Sequence, residues 1–202
     1  APVFWAQHPK PPSPELMGLL VVAVPLEVLA YYLFLSALRM APLSLTIPLL
    51  SFTPVLTIGT SAILLGEKTD PSAMFGILLV TVGAYILNGD LARESFIAPL
   101  QALLSNRGSR RMLMVAVIWS VTSALGKKGV LIYGAIPFGM VLLIGVIITF
   151  GIIAAIRWNA SRGRMDVSVP ALGFFLLGGA FMAAAQATHF ISMSLAPAAC
   201  VI

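Results

Sequence analysis

Six side chains have chemistry out of keeping with the apolar runs that hold them: Glu27, Tyr31, Trp119, Ser123, Gln186 and His189. A carboxylate at mid-helix costs at least about 2.5 kcal/mol to place in hydrocarbon, so it is expected to face a cavity or a partner rather than lipid. Glu27 is therefore a candidate for exchanging a proton as a solute binds and leaves. Tyr31 stands one helical turn further on and offers a stacking surface on the same face. Gln186 and His189, three residues apart, share a face in an Ala-rich stretch, and a histidine titrates near neutrality. Trp119 and Ser123, four apart, pair an aromatic face with a hydroxyl. Structural roles stand beside each of these. Glu27 would serve equally as a hydrogen-bonded lock, His189 as a histidine satisfied by a neighbouring helix, and Trp119 as a packing or interfacial residue.

The elements that must position them are set by composition. The chain has 202 residues, 59% hydrophobic and 9% charged, with a mean hydropathy of +1.02, more apolar surface than a soluble core of this size buries. A bilayer core about 30 Å thick needs about 20 apolar residues in a helix. Six segments approach that length: 15–38, 41–65, 71–87, 112–125, 130–156 and 169–195. Asp70 before Pro71 predicts a capped start for the third, while Gly76 and Gly83 predict close approach of a neighbouring helix. Pro42, Pro48 and Pro54 in the second and Pro25 in the first predict kinks that free backbone carbonyls. Lys127 and Lys128 are expected to snorkel from the short fourth span. Glu67, Lys68 and Asp70 read as an interfacial charge cluster. The +5 net charge sits in short segments between spans, a pattern of membrane topology and not of nucleic-acid binding. Cys200, the lone cysteine, permits neither a disulfide nor a thiolate metal site within the chain. Asn159-Ala160-Ser161 matches a glycosylation sequon by coincidence.

An internal repeat organises these spans. A shift of 155 residues superposes Ala41-Pro42 on Ala196-Pro197, Gly18 on Gly173, and the polar loop 8–14 on the polar loop 163–169. In that register the fourth and fifth spans lack partners, as does the third. The expectation is a chain cut at both ends, with about 45 residues absent on each side. The intact protein would then be an all-α membrane protein, a polytopic helical bundle of ten transmembrane helices with about six of them here. Five helices per half make the two halves inverted repeats. Residues 1–87 fall in the first repeat, 88–111 connect, and 112–202 open the second.

Residues 37–68, ALRMAPLSLTIPLLSFTPVLTIGTSAILLGEK, with 76–88, GILLVTVGAYILN, resemble the end of an EamA-type half of the drug/metabolite transporter superfamily. Residues 116–127, with Trp119 and the closing Gly126-Lys127, look like the opening helix of a second half. The resemblance implies a ten-helix permease carrying small metabolites, such as amino acids or related solutes, by alternating access, often outward, in a bacterial inner membrane. Its expected partners are a small-molecule solute, the lipid bilayer and protons as coupling ion, with no cofactor, no metal and no nucleic acid. No substrate and no oligomeric state follows. A membrane-embedded enzyme is disfavoured, since no zinc His-Glu-x-x-His, no Gly-x-Ser-x-Gly and no intramembrane aspartate pair appears. A non-transporting receptor or scaffold stays open. Two signals of orientation disagree. Loop charge puts the side holding Arg39, Arg93, Arg107, Arg110, Arg111, Arg157, Arg162 and Arg164 in the cytoplasm, whereas the family topology puts it outside.

Overall fold

The computed structural model describes residues 13–67, 69–87, 106–160 and 169–195. Lys68, Ser161, Cys200, the Ala196-Pro197 pair and most of the 88–111 connection lie outside the described residues. In hydrocarbon every backbone N–H and C=O must be satisfied within its own segment, and every described element is a helix. In chain order these are α1 (Pro14–Met40), α2 (Leu43–Thr46), a 3-10 turn (Ile47–Ser51), α3 (Phe52–Leu65), α4 (Pro71–Leu87), α5 (Arg107–Tyr133), α6 (Ala135–Ala160) and α7 (Val169–Leu195). Among the described residues, four stretches are long and apolar enough to cross a membrane: Pro14–Met40, Ile47–Leu65, Arg107–Tyr133 and Ala135–Asn159. The molecule is thus a polytopic helical membrane protein.

Local chemistry sets most helix ends. Ser13 caps α1, its Oγ accepting from the Leu16 N–H at 3.3 Å. Gly66 closes α3 in the left-handed region at φ 67°, its N–H donating to the Ala62 carbonyl at 3.1 Å. Asp70 starts α4 as expected, its Oδ1 accepting from the Ser72 N–H at 2.8 Å and the Ser72 hydroxyl at 2.6 Å. Asn106 does the same for α5 through the Gly108 N–H at 2.8 Å.

Three expectations need correction. The second span is not one kinked helix: Pro42 is the N-cap of α2, Pro48 opens the 3-10 turn, and Pro54 lies in the first turn of α3. First-turn N–H groups have no intrahelical partner, so a proline there costs the helix nothing, and these prolines begin segments instead of bending one. Only Pro25, of the four, sits inside a helix. Next, the expected break between 125 and 130 is absent. α5 runs unbroken through Gly126-Lys127-Lys128-Gly129 and ends at Gly134, whose φ of 86° turns the chain into α6. Lysine is a good helix former and two glycines cost only about 1 kcal/mol each. Finally, a Cβ at Gly76 or Gly83 would meet nothing within 4 Å, so neither provides a close approach to another of the described residues.

The chain packs as two units. The first joins the opening half of α1 to the end of α5, α6 and α7. Here Ser13 donates its N–H to Tyr133 Oη at 3.3 Å, and the Gly129 position is filled by the Phe138 ring. α6 packs on α7 through Phe138 and Phe190, edge to face with centroids 5.8 Å apart. The second unit joins the rest of α1 to α2, the 3-10 turn, α3, α4 and most of α5. Its core is Ala37, Leu49, Met112 and Val115, ringed by Leu33, Phe34, Leu50, Phe52 and Trp119.

Candidate functional site

In the second unit, α1 and α5 bring two of the predicted residues together. The Tyr31 and Trp119 rings meet at 74° with centroids 6.3 Å apart, and Phe34 lies 5.6 Å from the same indole. Phe34 was not among the expected residues, although its place three after Tyr31 puts it on that face. All three rings are half-buried, leaving aromatic surface accessible. Ser123 follows Trp119 by one turn and is 9% exposed.

The same period continues to Lys127. Trp119, Ser123 and Lys127 therefore form one stripe about 12 Å long on α5, passing from aromatic to hydroxyl to cation. Lys127 does not snorkel to water. Its side chain is 8% exposed and its Nζ lies 3.3 Å from Glu67 Oε1, just past the end of α3, where the carboxylate is 22% exposed. An ammonium is tolerated at such burial only with a partner of opposite charge. The four-residue spacing from Trp119 through Ser123 is the sequence signal that reaches Lys127 once the helix runs past residue 125. α3 and α5 are further tied by the Thr60 hydroxyl, which donates to the Ser120 carbonyl at 2.9 Å. A row of buried hydroxyls at Thr53, Thr57 and Ser61 runs along α3. Thr57 donates to its own helix at 2.8 Å, whereas Thr53 Oγ1 has no partner among the described residues.

In the first unit, Glu27 is half-buried and engaged with a partner, one turn before Tyr31 on the continuous α1. Gln186 and His189 are both half-buried on α7, beside its fully packed residues Phe190 and Met193. The His189 ring meets Phe190 at 64°, centroids 5.7 Å apart. Both polar groups thus border the packed side of α7 and not its exposed side. The six predicted residues fall into two groups, Tyr31, Trp119 and Ser123 in one unit and Glu27, Gln186 and His189 in the other. Among the described residues no three His, Cys, Asp or Glu side chains gather into a metal-holding group.

Outside the spans, Asp70 is the group with a clear electrostatic signature. Hydrogen bonds from Ser72, first the hydroxyl and then the backbone N–H, hold its carboxyl below the usual value of 3.8.

Residues 1–89 match the model of the EamA-like transporter family. That stretch of the chain is similar to EamA-like transporters. No curated protein and no solved structure matches the chain.

Proposed function

We propose that the protein is a permease moving small metabolites, amino acids or related solutes among them, across a bacterial cytoplasmic membrane by alternating access. The observation that best supports this is the Trp119 stripe: an indole held by Tyr31 and Phe34, with Ser123 one turn away, on a helix half buried in protein. Aromatic surface stacks on a planar or aliphatic solute, and a hydroxyl supplies a directional hydrogen bond. In this reading Glu27, a carboxylate inside a span, couples flux to protons. Gln186 and His189 provide a second hydrogen-bonding pair. Residues 1–87 and 112–202 are parts of two inverted five-helix halves joined by 88–111, so that rocking of one half against the other alternates the open side.

The test is uptake and efflux of a metabolite panel in proteoliposomes carrying the protein expressed from its intact gene. Trp119→Ala is expected to lower flux roughly tenfold through lost stacking. Glu27→Gln, at normal membrane expression, is expected to remove the dependence of flux on a pH gradient. Unchanged pH-dependent flux in Glu27→Gln would leave that carboxylate structural.

A further inference from the structure

Four arginines gather where α1 ends and α5 begins. Arg39 is in the last turn of α1, and Arg107, Arg110 and Arg111 are in the first turns of α5. The helix ends touch: a Cβ on Gly108 would stand 2.7 Å from the Ala41 Cβ and 3.2 Å from the Ala37 carbonyl oxygen. Arg111 is half-buried and donates to Ser36 Oγ on α1, a neutral partner. Arg39, Arg107 and Arg110 are exposed.

The carboxylates of the described residues lie elsewhere. Glu27 precedes Arg39 by about 18 Å of continuous helix, and Glu15 by twice that distance. Glu67 pairs with Lys127, about 30 Å along α5 from Arg107. Asp70, which follows Glu67 by three residues, is engaged by Ser72. The first turn of α5 adds the positive end of its own dipole to the four guanidiniums.

What lies beneath these charges points to the ligand. On α5, Arg110 is followed down the same face by Met114 and Val117, and on α1, Arg39 is preceded by Leu35 and Tyr32. All four of these large side chains are exposed. Each helix thus presents a cation at the boundary and, one and two turns deeper, open apolar surface. A free anion would use only the first of these features, whereas an amphiphile uses both. We propose that this arginine cluster holds the phosphate headgroup of an anionic phospholipid, whose acyl chains lie along the exposed faces of α1 and α5. Guanidinium forks match phosphate oxygens two at a time, and the interaction is worth about fivefold in affinity per arginine. The inference is independent of transport and would stand if the permease reading failed.

The experiment is lipid retention by the 202-residue chain in nanodiscs holding equal amounts of phosphatidylglycerol and phosphatidylcholine, read by native mass spectrometry. Phosphatidylglycerol is expected to be retained preferentially. Arg107→Gln and Arg110→Gln are each expected to cut the preference about fivefold, and the double variant roughly 25-fold. Arg110→Lys is expected to keep most of it. Equal retention of the two lipids, an unchanged preference in the double variant, or displacement of the lipid by inorganic phosphate alone would each overturn the proposal. Should the double variant not fold, salt titration of the unaltered chain decides: the preference falls with rising salt if the arginines carry it, and a flat response rejects it.

Discussion

α5 and α6 are nearly equal in length and separated by one glycine, yet they meet opposite surroundings. Half of the most apolar window of α5 is buried in protein, against 6% for α6, although α6 is the more apolar of the two. In water the order would be reversed. In lipid an apolar side chain loses nothing by facing outward, so burial is left to the small and polar residues that cannot face hydrocarbon. α5 accordingly buries Ser120, Thr122, Ser123 and Lys127, while α6 exposes Ile144, Ile147, Ile148, Ile152 and Ile156. The candidate chemistry collects on the helix that a soluble-protein eye would rank second.

The largest expected consequence lies in the ion pair at the end of the α5 stripe. Glu67→Gln leaves a lysine that is 8% exposed without its counter-charge and should lower stability by about 3 kcal/mol, the low end for a buried pair because Glu67 is 22% exposed. Lys127→Met should cost less, since the carboxylate left behind can turn to water. The double variant should recover most of the loss. Thermal unfolding in detergent measures all three, and the comparison breaks if Lys127→Met is the costlier change.

Glycines sharpen the contrast with a smaller effect. On α5, an alanine at Gly129 would overlap the Phe138 ring, which is 1% exposed and has nowhere to move, and an alanine at Gly108 would press on Ala41. Each should cost about 1–3 kcal/mol. On α6, Gly151→Ala meets nothing within 4 Å and should stay within about 0.5 kcal/mol of the unaltered protein. Equal losses at Gly129 and Gly151 would refute the assignment of the first position to a packed face and the second to an open one.

Transport should respond to the same division. Ser123→Ala removes one hydroxyl from the stripe and should reduce flux severalfold for solutes that hydrogen-bond there, about 1 kcal/mol of binding. Ile148→Val on the exposed side of α6 should leave flux unchanged. Flux through proteoliposomes distinguishes the two.

The smallest effect lies outside the hydrocarbon, at the start of α4. The Asp70 carboxyl is held below its usual 3.8 by Ser72, so its contribution is fully present above that value and is lost as pH falls through the lower folded value. Protection of the Ser72 and Met74 amides from hydrogen exchange, relative to their intrinsic rates at each pH, should therefore fall only in acid. In Asp70→Asn, which keeps the cap oxygen without the charge, that acid-dependent change should vanish.

Much of the architecture was legible in the residues alone because membrane helices answer local demands. Apolar runs of sufficient length had to become helices, and Asp70-Pro71 had to start one. Where reading failed, a local rule met a distant partner. Gly126 to Gly129 looked like a turn until Glu67 came near enough to neutralise Lys127 within a helix. The three prolines of 41–65 looked like kinks in one helix, but the chain passes from α-helix to 3-10 turn and back, with each proline at a cap or in a first turn, where no hydrogen bond is lost.

By itself the sequence determined the solvent, the helical class, the approximate spans and which side chains were too polar to face lipid. Only the tertiary structure decided which residues those side chains meet: Tyr31 and Phe34 at Trp119, Glu67 at Lys127, Ser36 at Arg111. The physical reason is one of range. Backbone hydrogen bonding in hydrocarbon is settled within four residues along the chain, whereas the partner of a buried charge or ring is brought in by packing between helices that may be sixty or more residues apart.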